Sequence, residues 1–133
     1  MALSEIDQRP FCTASTSVTP SPVKSPKRSW LIGNDELLVV VSGTPTLRAP
    51  DGERELQPGD CILFPSGPDG AHKLTNRSDD VVRVLLVSNF ALPRAAVQVD
   101  SGKMMLRWGS GRDERRWFFL GEDADYWDGE AAE

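Results

Sequence analysis

An all-β sandwich or barrel is the fold class predicted by this 133-residue chain. Three observations carry the prediction. Short runs rich in Val, Leu and Phe are separated by turn signals roughly every eight to twelve residues, as in sandwiches and barrels. Gly, Pro, Asn and Asp cluster between those runs. No segment sustains a helical hydrophobic period.

Residues 1–29 are rich in Ser, Thr and Pro and bury too little apolar surface to offset their ordering entropy. They are expected to form a disordered tail, with Pro20, Pro22 and Pro26 favouring extended local structure. Within it, Phe11–Val18 can add an edge strand, and Ser21-Pro22 and Ser25-Pro26 are candidate phosphoacceptor sites, against the simpler expectation of an inert tail.

The body is expected to span residues 30–130. Glu36–Ser42 reads as a strand with apolar residues on both faces, Leu38 and Val40 on one, Leu37, Val39 and Val41 on the other. That pattern suits a strand buried on both sides. Gly43-Thr44-Pro45 breaks it; Thr46–Ala49 and Arg54–Leu56 flank the turn Pro50-Asp51-Gly52-Glu53, where Gly supplies positive φ. Gln57-Pro58-Gly59-Asp60 is another turn, and Cys61–Phe64 the next strand. Pro65–Gly70 is a loop, Ala71–Asn76 a strand, and Arg77-Ser78-Asp79-Asp80 a polar turn. Val81–Ser88 alternates, with Val82, Val84 and Leu86 opposite Arg83. Ala95–Val99 and Lys103–Trp108 form a hairpin around Asp100-Ser101-Gly102, and Arg116–Leu120 is a last short strand. At most one helical turn is expected near Glu122–Tyr126. Tyr126 and Trp127, inside an acidic run, are expected to pack on the barrel outside or across a subunit boundary.

The formal net charge is −5. Residues 1–33 carry four cations (Arg9, Lys24, Lys27, Arg28) against two acids (Glu5, Asp7), so the body is more acidic than the whole. Phosphate binding needs a net basic surface, so nucleic acid is not an expected partner. No apolar run approaches the roughly 20 residues of a membrane span, and the N-terminus lacks a secretory apolar core. Cys12 and Cys61 are expected as reduced thiols, and a cytoplasmic location follows. Serine-triad and phosphate-loop chemistry find no support in the motifs.

The stretch Glu36–Asn76 carries the chemistry. It runs Glu36, six residues, Gly43, then Gly59-Asp60-Cys61-Ile62-Leu63-Phe64-Pro65-Ser66-Gly67-Pro68-Asp69-Gly70-Ala71-His72, three residues, Asn76. This resembles the two motifs of the cupin superfamily, over residues 29–130. Gly33-Asn34-Asp35-Glu36, Asp100-Ser101-Gly102-Lys103 and Asp125-Tyr126-Trp127-Asp128-Gly129-Glu130 resemble a group of small, functionally uncharacterised cupin type-2 proteins. The resemblance implies a cupin-type double-stranded β-helix, a jelly-roll barrel. Upstream of Trp30 the agreement fades, so the barrel is expected to lack entry strands unless Phe11–Val18 supplies one.

In that family, a His-x-His pair and a Glu of the first motif, with a His of the second, hold a divalent transition metal. Matched residue by residue, the Glu falls on Glu36 and the second-motif His on His72, the candidate metal residues. The paired positions fall on Ser29 and Leu31, around Trp30. Serine is a poor ligand for such metals and leucine is none, while three or four protein ligands are usual. Two extra residues between Gly67 and His72 depart from the family spacing, which the loop is expected to absorb. The expectation is therefore a small-molecule-binding barrel, non-catalytic, with at most a weakly held divalent metal, and a homodimer. The alternatives are a metal-dependent cupin enzyme of the oxygenase or isomerase class, and a regulatory subunit using the tail and the aromatic end.

Overall fold

The computed structural model describes residues 11–18, 27–89, 92–109, 111–125 and 128–129. Side chains of 11–18 are not among those described. The candidate phosphoacceptors Ser21 and Ser25, the Cys12 side chain, and Tyr126 and Trp127 lie outside the described residues.

Eleven strands are described: β1 (Phe11–Val18), β2 (Ser29–Ile32), β3 (Glu36–Ser42), β4 (Thr46–Ala49), β5 (Gly52–Glu55), β6 (Cys61–Phe64), β7 (Lys73–Thr75), β8 (Val82–Asn89), β9 (Arg94–Gln98), β10 (Lys103–Arg107) and β11 (Arg115–Phe119). No α-helix occurs among the described residues, and Glu122–Asp125 form no helical turn. Among the described residues no helix is long and apolar enough to cross a membrane. The expected all-β class and jelly-roll barrel are observed.

The first sheet has the order β1-β8-β3-β6. A second has the order β11-β10-β9-β2 and a third β5-β4-β7. The last two are stitched together by paired backbone bonds between Ser29 and His72, with N–H···O distances of 3.1 and 2.9 Å. All pairings are antiparallel, as hairpin and Greek-key connections require. Phe11–Val18 thus pairs as an edge strand along Val82–Asn89, well ahead of the start expected at residue 30.

The core is built by alternation. Leu38 and Val40 of β3, Val82 and Val84 of β8, Leu47, Leu56, Phe64 and Leu74 form one buried cluster. The expectation that β3 is buried on both sides is corrected. Leu37 and Val39 are only half-buried, and Val41 is 60% exposed. The β3–β8 register shifts between Val40 and Ser42, so Val41 is an extra, unpaired residue in a bulge that turns outward. Gly43 follows immediately at φ 81°, and a Cβ there would lie only 2.8 Å from Val82 Cγ2, so a side chain has neither conformational nor physical room.

The loop Pro65–Gly70 absorbs its two additional residues as a single 3₁₀ turn over Pro68–Gly70. Gly70 N–H donates to Gly67 O at 3.0 Å, and Ala71 N–H to Pro68 O at 3.0 Å. The expected strand Ala71–Asn76 is shorter, Lys73–Thr75, because Ala71 still closes that turn and His72 pairs with β2 instead.

Candidate functional site

Glu36 and His72 reach each other from opposite sheets. Glu36 begins β3 and shares its face with Leu38 and Val40, so alternation carries it inward above the core. His72 precedes β7 and lies two residues before buried Leu74 on the same face. His72 Nε2 is 3.7 Å from Glu36 Oε2, and the two side chains retain 13% and 18% of their exposure. The pair is therefore sheltered but reachable.

The floor beneath it is Phe64. In the β3–β6 register Phe64 sits opposite Glu36, and its ring stacks on the His72 imidazole with centroids 3.6 Å apart and planes 10° from parallel. The other imidazole nitrogen, Nδ1, lies 2.9 Å from the Gly70 carbonyl. A carbonyl only accepts, so Nδ1 carries the hydrogen. Nε2 is thereby aimed at the Glu36 carboxylate. Two acceptors facing each other need a proton on one of them or a donor between them.

Burial is the largest influence on Glu36 and raises its pKa above the ordinary carboxylate value; the nearby positive charges of His72 and then Arg94 pull it partly back. Pairing with His72 favours the ionised carboxylate, and burial opposes it. The structure shows desolvation prevailing. Arg94 was not singled out in the sequence. The only signal available there is its period-two spacing with Ala96 and Gln98 on one face of β9.

A loop latch fixes the approach. Ser66 N–H donates to Asp35 Oδ1 at 2.8 Å, Gly33 N–H to Ser66 Oγ at 2.9 Å, and Ser66 Oγ–H to Leu31 O at 3.1 Å. Asp35 N–H in turn donates to Asn89 Oδ1 at 2.7 Å, and the Asn34 amide donates to Asn89 O. These bonds tie the β2–β3 loop to the segment after β6 and to the end of β8. They hold Glu36 in register with the His72 loop.

Ser29 and Leu31 stand where the resemblance places two missing ligands. Ser29 is the direct cross-strand partner of His72, so their side chains lie on one face, with Leu31 two residues on. A hydroxyl and an isobutyl group thus occupy the positions beside the imidazole. Asp60 is engaged elsewhere, accepting from Gln57 N–H at 2.8 Å, and the Cys61 thiol is free and exposed on the barrel surface. Among the described residues no group of three or more His, Cys, Asp or Glu could hold a metal ion. A transition metal of the kind the family uses does not fit this residue set.

Residues 27–88 match the cupin domain family. Two solved structures cover most of the chain. A sugar phosphate isomerase from a cupin superfamily, from Silicibacter pomeroyi, is 26% identical at a TM-score of 0.73, covering 82% of this chain and 67% of that one. A protein described as a putative sugar phosphate isomerase, from Acidithiobacillus ferrooxidans, is 17% identical at a TM-score of 0.74, covering 86% and 70%; it shares the fold. No curated protein matches. The domain match and the antiparallel jelly roll agree: residues 27–88 form a cupin type-2 domain, and the chain around it shares the fold of the cupin-superfamily structure it resembles.

Proposed function

We propose that this cupin binds a small polar organic molecule at its lumen through Glu36 and His72, without a firmly chelated metal. The observation that carries this reading is the sheltered pair itself. Nε2 and Oε2 face each other at 3.7 Å while Ser29 and Leu31 flank them without ligating capacity. A ligand hydroxyl or amine between them can bridge His72 Nε2 and Glu36 Oε2, donating to whichever of the two holds no proton. Phe64 gives the site an apolar floor, and Arg94 adds positive charge. This combination of an apolar wall and a few convergent polar groups is the usual form of a small-molecule site.

Metal analysis of the purified protein, coupled to thermal-shift screening of polyhydroxylated small molecules, tests the proposal. The expected result is substoichiometric metal, together with a ligand-induced Tm rise that His72→Ala abolishes. Stoichiometric Fe, Mn, Ni or Zn would overturn it.

A second reading, an isomerase acting on a sugar phosphate, is favoured by the 26% identical neighbour described as such an enzyme. A buried carboxyl of raised pKa beside an imidazole is suited to moving a proton next to a carbonyl. Solvent deuterium incorporation into aldose or ketose phosphates, lost in Glu36→Gln, checks it. No incorporation across the panel leaves the binding reading in place.

A further inference from the structure

β11 forms a free edge of its sheet. All five of its residues, Arg115-Arg116-Trp117-Phe118-Phe119, are exposed, and Phe119 is 78% exposed. Among the described residues the strand pairs only with β10. By contrast, β5 blunts its edge with Glu53, Arg54 and Glu55, the usual protection of an edge strand. β11 carries no acid, and three of its five side chains are aromatic.

The backbone has a definite parity. At the ends of the β10–β11 ladder, Trp108 N–H donates to Glu114 O at 3.0 Å and Leu120 N–H to Gly102 O at 2.8 Å. Antiparallel ladders alternate, so the even-numbered residues of β11 direct their backbone groups to β10. Arg115, Trp117 and Phe119 therefore direct theirs to the open side.

We infer that β11 pairs antiparallel with β11 of a second copy, about a two-fold axis at Trp117, joining two four-stranded sheets into one. Two things single out that register. It uses the outward N–H and C=O of Arg115, Trp117 and Phe119 and leaves none of them unpaired. It sets Arg115 opposite the partner's Phe119 and Arg116 opposite the partner's Phe118, so the basic ends lie apart and each cation meets a ring. The strand already shows this preference internally, with Lys103 Nζ 4.7 Å from the Phe119 ring centroid. A two-fold interface must be self-complementary, and this pattern of cations and aromatics is.

Light scattering after size exclusion reads the outcome. The wild-type chain is expected at twice its 14.6 kDa mass. Trp117→Lys, which sets two ammonium groups against each other on the axis, is expected at once that mass with an unchanged circular dichroism spectrum. Leu63→Lys, on the exposed face of β6, is expected to remain dimeric. Oxidation of Trp117→Cys in a Cys12→Ser, Cys61→Ser background should cross-link the dimer, because an axial pair of cysteines comes within disulfide reach; Phe119→Cys should not. This second arm decides the matter if Trp117→Lys does not fold. A monomeric wild type, a dimer untouched by Trp117→Lys, or no cross-link from Trp117→Cys would overturn the inference.

Discussion

At the scale of single residues, Glu36 sets the pH behaviour of the site. Burial is the leading cause of its raised pKa, so the folded state holds this proton more tightly than the unfolded chain does. Its stabilising contribution is present below the ordinary carboxylate range and is lost as pH rises through the folded value. Urea titrations of wild type and Glu36→Gln should show it: the stability of wild type relative to the variant falls as pH rises from about 4 towards neutrality. A flat difference would mean that Glu36 titrates alike in both states. Gly70 is a second critical residue. A Cβ there would lie 1.8 Å from the Pro65 carbonyl oxygen, which is backbone and cannot swing away. Gly70→Ala should cost roughly 2 kcal/mol or more in denaturant unfolding, as overpacking does. It should also weaken ligand binding, because the Gly70 carbonyl orients His72. Glu36 and His72 were both legible in the sequence, since motif spacing marks them. Phe64 and Arg94 were not legible as site residues, because their roles depend on cross-strand register and on the approach of a different sheet.

At the scale of elements, β2 decides what the site can hold. Its alternation points Ser29 and Leu31 to the His72 side, with Ser29 bonded directly to His72 through the backbone. The double variant Ser29→His, Leu31→His should therefore acquire divalent metal that wild type does not retain, read by metal analysis after dialysis. Failure of the double variant to bind metal would show that β2 is misplaced relative to Glu36, rather than merely lacking ligands. The strand limits of β3, β4 and β6 follow directly from apolar runs between turn residues, and the sequence reading matches them residue for residue. Two of the misjudged features share a cause. The Val41 bulge and the shortening of β7 both come from partner strands, through a register shift against β8 and a detour of His72 to β2. Neither is encoded in local periodicity.

At the scale of the whole molecule, two facing layers make the barrel, and β1 completes the first of them. Its eight residues pair with Val82–Asn89 throughout. Without β1, the apolar strand β8 would become an open edge, which invites aggregation. Removal of residues 1–18 should thus lower the thermal midpoint and increase light scattering on heating. An unchanged melt would mean that β1 contributes nothing to the sheet. The latch from Asp35 through Ser66 to Leu31 acts at this scale too, since it couples the two layers where Glu36 and His72 meet.

The chain's own residue order determined its class, the limits of β3, β4 and β6, the inward carboxylate and imidazole, and the residues that stand at the two ligand positions of the resemblance. Each of these is a local matter of alternation, turn chemistry and side-chain identity. Only the folded barrel decided that Glu36 keeps its proton more tightly, that Phe64 underlies His72, that Arg94 adds its charge, and that β11 leaves an aromatic edge open. These depend on distances across sheets, and side chains far apart in sequence acquire such distances only when the layers close on one another.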